Sequence, residues 1–168
     1  MCTSCVQPKP RKPVVRKTSS FLDNSVSLNK KLIAKQETQF KKLMDKDSLS
    51  RYKNSSLGFW YKINTKSNQT YLPKKGDKLH FKYEVSTLEN KIIYSFNETG
   101  TQTYFLDEQE IIEGFRDGLK LMNEGDEFTF LFPSHKVYGY IGDQNKIEIN
   151  QPLIINIKLI KIEKNETN

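Results

Sequence analysis

Apolar and polar residues alternate from Lys78 to Ser86, with Leu79, Phe81, Tyr83 and Val85 on one face and Lys78, His80, Lys82 and Glu84 on the other. A period of two predicts a half-buried β-strand. The period recurs at residues 126–132, where Phe128, Phe130 and Phe132 share a face, and in part over the isoleucine-rich stretch Leu153–Ile162. Gly58–Ile63, Asn90–Asn97 and Thr103–Leu106 predict further strands, with turns at Lys74–Asp77 and near Glu89-Asn90. Two segments change to a helical period. Over 108–122, Ile111, Phe115, Leu119 and Met122 form one apolar face, Asp107 and Glu110 have the spacing of a capping box, and Gly125 is the expected stop. Gly114 and Gly118 lie inside this helix, where each costs roughly 0.5–1 kcal/mol relative to Ala, so something must approach the backbone closely. Over 25–50, Leu28, Leu32, Phe40, Leu43 and Met44 make a single stripe among Lys, Gln and Glu. Antiparallel strands around one short helix predict an α+β fold, preceded by an amphipathic helix.

Composition divides the chain further. Residues 1–24 read as a disordered tether, 25–56 as a helical extension and 57–163 as the folded domain. Lys+Arg exceeds Asp+Glu, 27 against 20, giving a net charge of +7. Part of the excess is local, since residues 1–17 carry Lys9, Arg11, Lys12, Arg16 and Lys17 and no acid. That run holds three prolines and no aromatic, the composition of a solvated tether rather than a nucleic-acid surface. The stripe of 25–50 has two open readings: it packs on its own domain, or it forms a homodimer or partner-binding helix. Trp60, the one tryptophan, reads as a packing residue.

The chemical inventory is short. Both cysteines, Cys2 and Cys5, lie at the N-terminus, with no downstream ligands to complete a zinc site and no βαβ setting for a redox pair. They read either as lipid-anchor positions, Thr3-Ser4-Cys5 offering the small-residue approach of a lipoprotein site, or as free thiols. Of the two histidines, His80 is on the polar face of its strand and His135 is in a polar loop. No nucleophile–base–orienter set is recoverable, and no metal or cofactor is implied.

One stretch carries a resemblance. Ile111-Ile112-Glu113-Gly114-Phe115 is followed by Gly125, Pro133 and Val137-Tyr138-Gly139, then by Lys146-Ile147 and Pro152-Leu153-Ile154. This order and spacing, over about residues 75–163, resembles the FKBP-type peptidyl-prolyl isomerases, whose segment runs from V-I-x-G-W through a glycine-started strand to a Pro and A-Y-G. The wording F-P-S-H-K-V-Y-G-Y-I-G-D looks closest to the gliding-motility-associated FKBP-like lipoproteins of Bacteroidetes.

The resemblance implies a sheet wrapped around the short helix and a cleft for prolyl peptides. Tyr83 matches a wall tyrosine, Phe115 the floor tryptophan, and Ile111-Ile112 the Val-Ile pair, with the Ile112 N–H the expected donor to a substrate carbonyl. Tyr138 matches the tyrosine whose hydroxyl binds another carbonyl, Ile147 the loop isoleucine, and Tyr104 an aromatic of the short strand. Besides Phe115 in place of the tryptophan, four positions depart from the pattern. The family's Phe-Asp pair is Ile93-Tyr94, a far-wall Phe is Ile155, and another aromatic is Gln102. The implied function is prolyl isomerisation on envelope proteins at the periplasmic face of a bacterial membrane, held there by an N-terminal lipid. The alternative is a chaperone or scaffold that uses the same cleft without turnover.

Overall fold

The computed structural model describes residues 19–47 and 51–166. The elements run α1 (Ser19–Lys46), β1 (Lys53–Ser55), β2 (Phe59–Thr65), β3 (Lys78–Ser86), β4 (Ile92–Tyr94), α2 (Phe96–Thr99), β5 (Gln102–Phe105), α3 (Glu113–Leu119), β6 (Glu127–Phe132), a 3-10 turn (Ser134–Lys136) and β7 (Leu153–Glu163). The strands form one antiparallel sheet in the order β1-β2-β6-β7-β3-β4, with β5 also paired to β3. The fold is α+β, a sheet with one short core helix, as the alternation predicts.

The chain divides into two compact units that meet between Leu32 and Ile33, within the span of α1. In the first unit, the described residues are the opening turns of α1, where Val26 and Leu28 are exposed. The helix begins at Ser19, ahead of the expected start at 25, so the tether expected over 1–24 is helical in its last residues. Residues 1–18, with both cysteines, lie outside the described residues.

In the second unit the sheet is covered on both faces. Phe59, Phe81, Phe128, Phe130, Phe132, Ile155 and Ile157 join Phe115, Leu119 and Met122, from α3 and the turn after it, in the main core. On the other face, Phe40 of α1 is fully buried against Leu131 and Ile154, with Leu43, Met44 and Trp60 beside it. The part of the stripe from Phe40 to Met44 therefore packs on its own domain. Trp60 is a packing residue, and its indole N–H donates to Glu37 Oε2 at 3.0 Å. Gln36, also buried, donates through Nε2 to Ser134 Oγ and to the Asn150 carbonyl, each at 2.9 Å, and accepts the Ser134 N–H at 3.0 Å. A buried amide is tolerated when its donors and acceptor are all used.

Three local expectations change. The helix expected over 108–122 is confined to Glu113–Leu119, because the N–H groups of Glu108 and Gln109 turn back to the Phe105 carbonyl. Asp107 is therefore no cap; it adopts φ 58° and pairs with Lys120 at 2.7 Å. Gly125, with φ 86°, lies in the turn before β6 rather than ending α3, which has already given way to turns closed by the Leu121 and Met122 N–H groups. The strand expected over Asn90–Asn97 is only Ile92–Tyr94, since Ser95 caps the short helix α2 through its hydroxyl.

The close approach implied by Gly114 and Gly118 is present. A Cβ on Gly114 would lie 2.9 Å from the Lys136 carbonyl oxygen and 3.1 Å from the Phe132 ring, and one on Gly118 would lie 3.1 Å from Phe130. The two glycines let α3 pack closely against the 3-10 turn and the Phe130 and Phe132 rings of β6.

Candidate active site

Strand β3 places Tyr83 above the core, and α3 raises Phe115 beneath it. The ring centroids are 4.7 Å apart at 73°, an edge-to-face contact. Half-buried Ile93 and Tyr94 of β4, Ile111 and Ile112 before α3, and Val137 and Tyr138 after the 3-10 turn pack against the same core. Ile147 joins it from the loop leading to β7. Burial pushes the Tyr138 hydroxyl well above the ordinary tyrosine range, and the nearby Tyr83, Asp143 and Tyr94 add to the shift. Burial raises Tyr83 as well. Both phenols therefore stay protonated at neutral pH.

The polar groups among these residues fall into two sets. Among the described residues, the hydroxyls of Tyr83 and Tyr138 and the N–H of Ile112 have no hydrogen-bond partner. Tyr94, in contrast, is committed: its hydroxyl donates to Asp143 and accepts from Asn145 Nδ2 at 3.2 Å. That bond to Asp143 raises the Tyr94 pKa. Burial alone would raise the Asp143 carboxyl, but Tyr94 and the N–H groups of Ile147, Asn145 and Lys146 outweigh it and hold the carboxyl below its usual value. The Lys146 ammonium lies 4.6 Å above the Tyr94 ring.

The structure thus brings together Tyr83, Ile93, Tyr94, Ile111, Ile112, Phe115, Tyr138 and Ile147. Two other expected contact residues, Ile155 and Tyr104, belong to the same core. Ile155 is 0% exposed, paired in register with Val85 and Phe130 inside the core. Tyr104 is 2% exposed and uses its hydroxyl to accept the Asp107 N–H at 3.1 Å. Phe115 and Ile147, at 3% and 4% exposed, are buried to a similar degree. Gln102, at a family aromatic position, is exposed on β5, and its amide donates to the Thr99 carbonyl at 2.6 Å.

Sequence reading missed Asp143 and Gln36. Asp143 meets a partner 49 residues away, and nothing in a polar loop announces such a pairing. A separate groove of about 970 Å³ opens between α1 and the second sheet face, with a polar floor in which Asn64, Thr129 and Asn156 hydrogen-bond in series. Tyr83, Phe115 and Tyr138 do not line it. Among the described residues no group of three His, Cys, Asp or Glu side chains could hold a metal ion, and no helix is long and apolar enough to cross a membrane.

Comparison with known proteins gives the same frame. The chain is 34% identical over 110 residues to the probable FKBP-type peptidyl-prolyl cis-trans isomerase FkpA of Neisseria meningitidis serogroup B, a match covering 66% of this chain and 40% of that protein's length. The fold is similar to the crystal structure of a peptidyl-prolyl cis-trans isomerase from Pseudomonas syringae pv. tomato, with a TM-score of 0.64 and 21% identity over 80% of this chain and 96% of that one. It is also similar to FkpA from Escherichia coli, with a TM-score of 0.63 and 22% identity over 86% of this chain and 69% of that one. The model of the family FKBP-type peptidyl-prolyl cis-trans isomerase matches residues 69–160, more than half of the chain and all the cleft residues named above, and the chain belongs to that family.

Proposed function

We propose that the cleft binds prolyl peptide segments and catalyses cis/trans isomerisation of the X–Pro bond. One observation carries this reading: two protonated hydroxyls, on Tyr83 and Tyr138, and one backbone N–H, on Ile112, pack at the edge of the apolar core that holds Phe115, all without partners among the described residues. The barrier to rotation is loss of amide resonance, about 18–20 kcal/mol. A twisted amide is less polar than a planar one, so a water-poor apolar site favours it. Tyr138 and Ile112 hold the flanking carbonyls as donors, while the rotating bond lies over Phe115 and Tyr83. No proton is transferred and no covalent bond is made. A protease-coupled assay with a prolyl peptide tests the reading. Turnover above the uncatalysed rate, which takes tens to hundreds of seconds, supports it; a rate equal to that background refutes it.

A second reading, a binding module without turnover, is favoured by Tyr94, which stands where the family's motif has an acid. Peptide affinity without turnover in the same experiment would select it.

The setting we propose is the periplasmic face of a bacterial membrane. Support comes from the sequence: Cys2 and Cys5 sit ahead of a basic, proline-rich stretch, and F-P-S-H-K-V-Y-G-Y-I-G-D resembles gliding-associated lipoproteins. The proposed clients are unfolded envelope proteins, gliding-machinery components among them. Exposed Val26 and Leu28 supply the apolar surface for a homodimer through the first turns of α1. Mass spectrometry of native protein with neither cysteine acylated would overturn the anchoring.

A further inference from the structure

Tyr94 occupies the place of an acid in the family's motif, yet a carboxylate reaches the cleft from another part of the chain. Asp143 lies in the loop between Tyr138 and β7. Its Oδ2 accepts the Tyr94 hydroxyl, while its Oδ1 accepts the N–H groups of Asn145 at 2.9 Å, Lys146 at 3.0 Å and Ile147 at 2.7 Å. Lys146 reinforces the junction from above the Tyr94 ring, bonding the Ile93 carbonyl at 3.4 Å and pairing with Glu98. One carboxylate thus joins β4, which carries Ile93 and Tyr94, to the loop that starts at Tyr138 and carries Ile147. Packing does little to hold the middle of this loop, since Tyr140 is 79% and Ile141 52% exposed.

We infer that Asp143 is a positioning residue for prolyl-peptide binding, its bond to Tyr94 fixing the separation between the β4 wall and the Tyr138–Ile147 wall. The inference rests on the isomerase reading of this cleft. Without the bond, the loop has to be ordered each time a peptide binds, and that ordering opposes binding rather than the bond rotation itself. The loss therefore belongs in KM and Kd and not in kcat.

The test uses Tyr94→Phe, Asp143→Asn and the double variant in the full chain. Tyr94→Phe removes the donor and leaves Asp143 to cap its loop. Asp143→Asn keeps Oδ1 for the three N–H groups but turns an amide donor toward a Tyr94 oxygen that already receives Asn145. Kinetic constants come from the prolyl peptide assay, and Kd for the same peptide from calorimetry. Each single variant is expected to raise KM and Kd roughly five- to tenfold, the size of one ordinary net hydrogen bond, with kcat kept. The double variant is expected to be no worse than the weaker single, because both remove the same bond. Effects that multiply in the double variant, a fall in kcat at constant KM, or an unchanged KM would overturn the inference. Absence of turnover in the wild type would instead overturn the isomerase reading. The calorimetric arm then decides on Asp143 alone: weaker binding in both single variants sustains its role, and binding equal to wild type refutes it.

Discussion

The Phe115 ring sits 4.7 Å from the Tyr83 ring, edge to face, and so holds a cleft wall in place from below. Phe115 is 3% exposed. Phe115→Ala removes most of a buried aromatic and is expected to destabilise the fold by about 3–5 kcal/mol. Urea denaturation measures this; a loss below about 1 kcal/mol, the scale of a small core trimming, would show that the floor is not packed as described.

The glycines of α3 separate propensity from space. In an exposed helix, Gly→Ala gains about 1 kcal/mol. At Gly114 the new methyl meets a backbone carbonyl oxygen at 2.9 Å, which cannot step aside. At Gly118 it meets only the edge of the Phe130 ring at 3.1 Å. Gly114→Ala is therefore expected to lower Tm clearly and Gly118→Ala to lower it less; the reverse order would mean that α3 does not lie on β6 in this way.

Tyr138 should act as a permanent hydrogen-bond donor, because burial holds its proton well beyond neutral pH. Tyr138→Phe is expected to weaken peptide binding by about 0.5–1.5 kcal/mol with Tm unchanged. Turnover should be flat from about pH 6 to 8, a window that spans the reference histidine value of about 6.5. Burial, with Lys136 adding to it, moves the His135 value down, and His135→Ala should leave the rate alone. A step in rate that disappears with His135→Ala would contradict a mechanism without proton transfer.

Acid should unfold the domain through two fully buried carboxylates. Asp77 accepts the Tyr71 hydroxyl and the Lys74 N–H at 2.8 Å and the Asn165 N–H at 2.9 Å. Asp126 accepts Lys66 and the Asn123 N–H at 2.7 Å and the Ser67 N–H at 2.8 Å. Burial pushes both carboxyls up, but these bonds outweigh it and both values end lowered. A lowered folded value means that the stabilisation is complete above the unfolded value of about 3.9 and drains away as pH falls through the folded one. Tm is expected to be level above about pH 5, to fall below about pH 4, and to fall less steeply in Asp77→Asn and Asp126→Asn. An equal acid slope in wild type and variants would exclude these groups as its source.

Much of this architecture was legible where one face of an element meets water. The alternation at Lys78–Ser86 gave β3 and the inward side of Tyr83 directly, because its two faces have different surroundings. Two-sided burial was harder to see. Phe128-Thr129-Phe130-Leu131-Phe132 is nearly continuous in apolar residues, and the side chain that alternation hides, Leu131, is the one that meets Phe40. The length of α3 was overestimated because its apolar spacing extends into residues whose N–H groups bond elsewhere. The junction of Asp143 with Tyr94 had no local signal, since only the tertiary fold brings a loop acid to a strand hydroxyl.

The cover that α1 places over the second sheet face has a practical consequence for dissecting this protein. A fragment cut at residue 57, or at the edge of the family match at residue 69, keeps the cleft and discards Phe40 and Gln36. Leu131 and Ile154 would then face water as part of one apolar patch, and the Ser134 N–H would lose its acceptor just ahead of Tyr138. Patches of that kind drive self-association. Fragments beginning after α1 are expected to elute as aggregates in size-exclusion chromatography, and fragments beginning before Ile33 to stay soluble; monodisperse material from a start at 57 would show that the helix is dispensable.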